Sequence, residues 1–116
     1  MSITRSPSSI VGRRLRERRK ALGWSLEHVG VEIGLDESSA RARISRYELG
    51  EHQPPEETAI LLAKVLGVPH AYLHCESDRL AEIILATCEL PVSDQEQMLR
   101  SLRERLALKQ ATAPRK

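Results

Sequence analysis

Apolar residues recur along most of the chain at the three- and four-residue spacing of amphipathic helices. In the first such segment Val11, Leu15 and Leu22 share one face, and Gly23 follows where a helix ends. Ser25 and Asp36 stand where the N-caps of the next two helices belong. The pattern predicts helices over residues 10–22, 26–33, 37–49, from the Pro54-Pro55 pair to 66, 69–74, 78–90 and 93–110.

The third predicted helix has two different faces. Ala40, Ile44 and Tyr47 are spaced to face a core. The opposite face presents Ser38, Ala42 and Ser45, flanked by Arg41 and Arg46. Small hydrogen-bonding side chains between long basic edges suit a nucleic-acid groove, because phosphates line both of its rims.

Two residues break the helical pattern. Arg19 falls on the apolar stripe of the first helix, where an unpaired charge would be costly, so we expect it to have a partner. Gly30 lies inside the second helix, at a cost of about 1 kcal/mol relative to alanine. We expect Gly30 to allow the close approach of a neighbouring helix.

The last two predicted helices carry apolar faces of their own. Leu80, Ile83 and Cys88 lie on one side of the first, and Ser93 with Glu96 forms a capping-box pattern that would open the second. The apolar seam of the second helix lasts barely two heptads, too few for a free-standing coiled coil. Two arrangements remain open: pairing with a second copy, or folding back onto the same chain.

Composition narrows the class of protein. A length of 116 residues allows one compact domain with a short appendage, and an aromatic content of only 3% favours helices over a sheet. The longest apolar run, from Ala59 to Ala63, is far shorter than the roughly 18 residues of a membrane span. Since no secretory signal is evident either, we expect a cytoplasmic protein.

Candidate chemistry is sparse. Cys75 and Cys88 form no Cys-x-x-Cys pair, and His70 and His74 add no metal-ligand pattern, so we expect no metal and no cofactor. The sequence also lacks a nucleophile with a matching base and a phosphate-binding glycine loop, so we expect no enzyme activity.

The net charge of +2 conceals an uneven distribution. Residues 1–24 carry seven basic side chains and one acidic, whereas residues 25–69 carry four basic and eight acidic. A basic segment in an otherwise balanced chain indicates an anionic polymer or surface as partner, or else a solvated helix face. Charge alone leaves both interpretations open.

Several short motifs follow one another in a fixed order. They are Leu15-Arg16-x-x-Arg19, Gly23-Trp24-Ser25-Leu26, Ile33-Gly34, Ile44-Ser45-x-Tyr47-Glu48-x-Gly50, Pro54, and Leu62-Ala63-x-x-Leu66-Gly67-Val68. Together they resemble the Cro/phage-repressor type of helix-turn-helix, the XRE family, from about Ile10 to Leu73. The resemblance implies an all-α protein with a five-helix lambda-repressor-like DNA-binding domain, followed here by an additional C-terminal helical pair.

The resemblance also implies roles for particular residues. Arg19 would pair with Glu48 and join the first helix to the end of the third. The family's base-reading positions fall on Arg41, Ala42 and Arg46, with Ser45 on the same face. Further DNA contacts are expected from Ser38, Ser39 and Arg43, and phosphate contacts from Arg13, Arg14 and Ser25.

This sequence departs from the family between Gly34 and Ile44. Nine residues separate them, about four more than is common, and four residues amount to about one helical turn. The extra residues either lengthen the turn or extend the recognition helix. We favour extension, because Ala40 continues the buried stripe.

We therefore predict flexible tails at residues 1–9 and 111–116, a DNA-binding domain over 10–75 and a dimerisation element over 76–110. The predicted function is a homodimeric transcriptional repressor that reads a pseudo-palindromic operator in double-stranded DNA. The alternative is an antitoxin or other interaction module whose C-terminal helices bind a partner protein. Restriction-modification control cannot be separated from repression by sequence.

Overall fold

The structure is a computed structural model that describes residues 9 to 112. Those residues form seven α-helices and no β-strand, which confirms the all-α class. The helices are α1 (Ile10–Leu22), α2 (Leu26–Glu32), α3 (Glu37–Leu49), α4 (Glu56–Leu66), α5 (His70–Leu73), α6 (Asp78–Cys88) and α7 (Val92–Thr112). Residues 1–8 and 113–116 of the predicted tails lie outside the described range, and α7 runs two residues into the predicted C-terminal tail.

Capping residues that the sequence predicts mark several of the helix ends. The hydroxyl of Ser25 accepts a hydrogen bond from the His28 amide, as an N-cap should. Gly50 ends α3 in the left-handed conformation, with φ at 77°, which a residue with a Cβ adopts only under strain. Asp36 occupies the N-cap position of α3, but its side chain makes no capping hydrogen bond.

The predicted capping box at Ser93 is wrong. Helix α7 begins one residue earlier, at Val92, so Ser93 lies inside its first turn. The side chain of Gln95 instead donates hydrogen bonds to the carbonyls of Thr87, at 2.8 Å, and Leu90, at 3.1 Å. The Thr87 carbonyl also accepts from the Leu90 amide at 3.0 Å, so Gln95 adds a side-chain donor where α6 ends.

The core of the first five helices is aliphatic. Leu15, Ile44, Leu62 and Leu73 are each fully buried, so α1, α3, α4 and α5 all contribute to one cluster. Burying a leucine of this kind contributes about 1.5–3 kcal/mol relative to leaving it in water. This packing holds α3 against the rest of the domain.

Two glycines set how closely helices approach. A Cβ on Gly30 would lie 2.5 Å from the Cβ of Ala40, so only glycine lets α2 and α3 approach this closely, as predicted. A Cβ on Gly12 would lie 2.7 Å from the Glu48 carbonyl oxygen, so α1 crosses the end of α3 at a second backbone contact. Both contacts position α3.

The described chain divides inside α6 into two compact units, residues 9–85 and 86–112. The first unit includes the start of α6, where Ala81 is buried in the core cluster. In the second unit, α7 has no buried residue. No helix within residues 9–112 combines the length and the apolar character that crossing a membrane requires.

Candidate nucleic-acid interface

Helix α3 has one buried side and one solvent-exposed side. Ala40 and Ile44 are completely buried and Tyr47 nearly so. Around the rest of the helix circumference, Arg41, Ala42 and Arg46 are exposed, and Ser45 is half-buried between them. The exposed side therefore presents a methyl group and a hydroxyl between two guanidinium groups.

The arginines of this exposed side are not neutralised within the described chain. Among residues 9 to 112, no carboxylate pairs with Arg41, Arg43 or Arg46. Three arginines on one helix without a carboxylate partner among the described residues favour contact with a polyanion.

The start of α3 settles how the extra residues are accommodated. Residues 37 to 40 lie within α3, and Ala40 is fully buried against Gly30. Helix α3 is thus extended at its N-terminus, and the turn after Gly34 stays short. Ser38 is exposed on this added turn, whereas Ser39 is half-buried and its hydroxyl donates to the Asp36 carbonyl at 3.3 Å.

The predicted pair of Arg19 and Glu48 is present in the structure. Nε of Arg19 donates to Oε2 of Glu48 at 2.5 Å, and Nη2 donates to Oε1 at 3.1 Å. The guanidinium therefore binds the carboxylate through two hydrogen bonds. Nη1 donates to the Trp24 carbonyl at 2.9 Å. The pair joins α1 and the turn after it to the end of α3.

Ser25 stands exposed at the start of α2. Its oxygen accepts from the His28 amide at 3.0 Å, which leaves the hydroxyl hydrogen free to point outward. A hydroxyl donor at a helix N-terminus can serve an anionic oxygen.

Arg14 cannot contact a phosphate as predicted, because its side chain is only 2% exposed. Nε donates to the Cys75 carbonyl and Nη1 to Oε1 of Glu17, each at 2.8 Å, while Nη2 lies 3.0 Å from Oδ1 of Asp78. Burial lowers the pKa of Arg14, but the carboxylates of Glu17 and Asp78 outweigh it and raise the pKa overall. Arg14 is a structural residue.

Arg13 is partly engaged in the same cluster. Its Nη2 donates to Oδ1 of Asp78 at 2.9 Å, yet its side chain remains 39% exposed. A phosphate would have to compete with Asp78 for this guanidinium.

Sequence reasoning missed the cluster formed by Arg13, Arg14, Glu17 and Asp78. Three of these residues, Arg14, Glu17 and Asp78, line an open cavity of about 370 Å³ together with Tyr72. Burial, and then the nearby Glu17 carboxylate, raise the pKa of Tyr72. More than sixty residues separate Asp78 from its arginines along the chain, so no local spacing could have revealed the contact.

The histidines of α5 lie together at the surface. The Nε2 atoms of His70 and His74 are 3.1 Å apart. Within residues 9–112, no third histidine, cysteine or carboxylate joins such a group in a metal-binding arrangement.

The arrangement of α2 and α3 matches a known family. The model of the helix-turn-helix family HTH_3 matches residues 15–73, about half of the chain. The chain belongs to this family. Its α2 and α3 are the two helices of the motif, and in such motifs the second helix enters the major groove of DNA.

Among solved structures, the chain is similar to the crystal structure of the transcriptional regulator BswR. The two share 40% sequence identity, with a TM-score of 0.81 over 84% of this chain and 97% of BswR. No curated protein matches the chain. The HTH_3 assignment and this likeness agree on a helix-turn-helix DNA-binding regulator.

Proposed function

We propose that this HTH_3 protein is a homodimeric transcriptional repressor that reads a pseudo-palindromic operator through α3. The observation that carries the proposal is the exposed side of α3, where Arg41, Ala42 and Arg46 stand on a helix fixed by a buried opposite side. The likeness to the transcriptional regulator BswR supports regulation as the purpose of DNA binding.

The exposed side of α3 supplies chemistry for reading bases. Arg41 and Arg46 can each donate two hydrogen bonds to O6 and N7 of guanine, and the Ala42 methyl can pack on a thymine methyl. Ser45 can donate to or accept from an adjacent base edge. Rigid support matters here, because misplacing a bidentate donor removes its discrimination.

Backbone contacts would fix the register of the protein on the duplex. We assign phosphate contacts to Ser25 and to Arg13, the latter after exchange with Asp78, and further DNA contacts to Ser38, Ser39 and Arg43. Each lost phosphate contact should reduce the slope of the logarithm of the binding constant against the logarithm of the salt concentration by about one.

A homodimer follows from the small size of the reading surface. One α3 reaches only a few base pairs, whereas two copies can read half-sites about 34–36 Å apart, one turn of B-DNA. Helices α6 and α7 each expose apolar side chains that a second copy could cover, among them Ile83 at 48% and Leu102 at 53% exposure. We therefore place dimerisation in residues 76–110.

Selection of bound DNA from a random pool tests the function. We expect an enriched site with two inverted half-sites spaced by one helical turn, and guanine at the positions that Arg41 and Arg46 reach. Enrichment of a single half-site would contradict the dimer, and no enrichment above competitor DNA would contradict sequence-specific binding. Transcription of a reporter carrying the selected site should then fall when the protein is present.

Sedimentation equilibrium of the full chain tests the dimer. Leu102→Ser should weaken association, because it removes an exposed leucine from the apolar seam of α7. Leu108→Ser is the matched control, since Leu108 is 69% exposed and lies outside the seam, about 120° around the same helix from Leu102.

The exposed seam of α7 also supports a second candidate function, which is that of an antitoxin or similar module that binds a partner protein. A chain that stays monomeric at all concentrations and forms a stable 1:1 complex with one partner would favour that function. DNA binding through α3 is compatible with either outcome.

A further inference from the structure

We propose that α7 pairs with α7 of a second copy in antiparallel orientation, with Leu99 packed opposite the partner's Leu102. The proposal rests on the homodimer proposed above and adds its orientation and register. The apolar seam of α7 and the order of charges along that helix support it.

The seam of α7 follows a heptad pattern over three repeats. Its positions alternate in steps of three and four residues, as the core positions of a coiled coil do: Val92, Gln95, Leu99, Leu102, Leu106 and Lys109. The three leucines in the middle are 46%, 53% and 57% exposed. The centre of the seam is thus an apolar surface that the described chain does not cover.

The charges of α7 are polarised along its axis. Asp94 and Glu96 lie in the first two turns, whereas the later turns carry Arg100, Arg103, Arg105 and Lys109 against Glu104 alone. The carboxylates complement the helix dipole at the N-terminus, and the bases complement it at the C-terminus. Two such helices attract each other when they run in opposite directions.

A parallel pair would be poorly matched. In register it would place Lys109 against the partner's Lys109 in the seam. At the flanking positions, Arg103 would face the partner's Met98, and Arg105 would face the partner's Gln110. No carboxylate would face a guanidinium across the interface.

The antiparallel pair, in which Leu99 packs against the partner's Leu102, avoids these unfavourable charge pairings. Glu96 then faces the partner's Arg103, and symmetry repeats the pair at the other end. Lys109 lies opposite the partner's Val92, where its aliphatic stem can pack while the ammonium reaches solvent. The Gln95 amide stays bound to the carbonyls at the end of α6, and its stem faces the partner's Leu106.

The same charges fix the register. Sliding one helix by a heptad in one direction brings Arg103 against the partner's Arg103, and sliding it in the other brings Glu96 against the partner's Glu96. Like charges at facing positions oppose both shifts. The register centred on Leu99 and Leu102 is therefore the one that the charges favour.

Charge reversal in the full chain tests the pairing, with sedimentation equilibrium at low ionic strength as the measurement. Glu96→Arg alone and Arg103→Glu alone should each weaken the homodimer roughly tenfold, because each turns two attractive pairs into two repulsive ones. The double variant Glu96→Arg/Arg103→Glu should return within about threefold of the wild type, since both pairs re-form with exchanged charges.

Glu104→Arg is the matched control. Like Glu96→Arg it puts an arginine in place of a glutamate four residues from Arg100, so both variants remove one i, i+4 carboxylate–arginine pair from the helix. Because position 104 lies outside the seam, Glu104→Arg should leave the dimer within about threefold of the wild type. Circular dichroism would show that all variants keep the same helix content.

Mixing the two single variants gives a second measurement. Antiparallel pairing predicts a heterodimer stronger than either single-variant homodimer, because every facing pair then joins an arginine and a glutamate. A wild-type dimer without rescue in the double variant and without preference in the mixture would overturn the antiparallel register and leave the homodimer standing. A wild-type chain that stays monomeric would overturn the homodimer itself, and the pairing with it.

Discussion

Removing the guanidinium of Arg19 should destabilise the domain before it changes DNA contacts. Arg19→Ala deletes two hydrogen bonds to Glu48 and one to the Trp24 carbonyl. It also leaves the Glu48 carboxylate without its counter-ion on a side chain that is only 6% exposed. A charge held in that position without a partner must be solvated by local opening of the domain.

The magnitude follows from this burial. Breaking a buried ion pair by removing one partner costs about 3–5 kcal/mol. Because the Arg19 side chain is itself 12% exposed and water can partly replace it, we expect a loss near the lower end, about 3 kcal/mol. A small domain has roughly 5–15 kcal/mol of stability, so this loss is a large share of the total.

Urea unfolding followed by far-ultraviolet circular dichroism measures the loss. Lys20→Ala, an exposed neighbour on α1, is the control and should change the free energy of unfolding by less than about 0.5 kcal/mol. Replacing both partners, Arg19→Met with Glu48→Leu, should recover much of the loss because no buried charge remains. An Arg19→Ala protein with wild-type unfolding but no DNA binding would refute the structural role.

Three further results are expected. Gly30→Ala should lower the free energy of unfolding by about 2 kcal/mol in the same assay, because the new methyl would lie 2.5 Å from the Ala40 Cβ. Unchanged stability would show that α2 and α3 separate easily. Burial raises the pKa of Tyr72 above 10.0, so the folded chain holds that proton more tightly than the unfolded chain and stability should fall as pH rises above about 10. Tyr72→Phe should flatten that decline, and an unchanged slope would contradict it. Arg46→Ala should weaken binding to the selected operator by about 1–3 kcal/mol and relax the preference at one base. Fluorescence anisotropy measures both effects, and Arg100→Ala on α7 is the control that should leave the base preference intact.

The sequence by itself determined the helices and much of the recognition surface. Apolar spacing, the Ser25 cap and the glycine at position 50 are local signals, because they act within one or two turns of backbone. For the same reason the two sides of α3 could be predicted from Ala40, Ile44 and Tyr47 alone. The pair of Arg19 and Glu48 came from the family resemblance, since nothing local joins residues so far apart.

Only the tertiary structure decided which basic residues are free to meet DNA. Arg13 and Arg14 look alike in sequence, yet Arg14 is buried against Asp78, Glu17 and the Cys75 carbonyl, while Arg13 stays partly exposed. The partners come from distant parts of the chain, so the availability of each charge depends on the packing of α1 against the start of α6. The periodicity of apolar residues places a side chain on a helix face, but the fold determines which residues that face contacts.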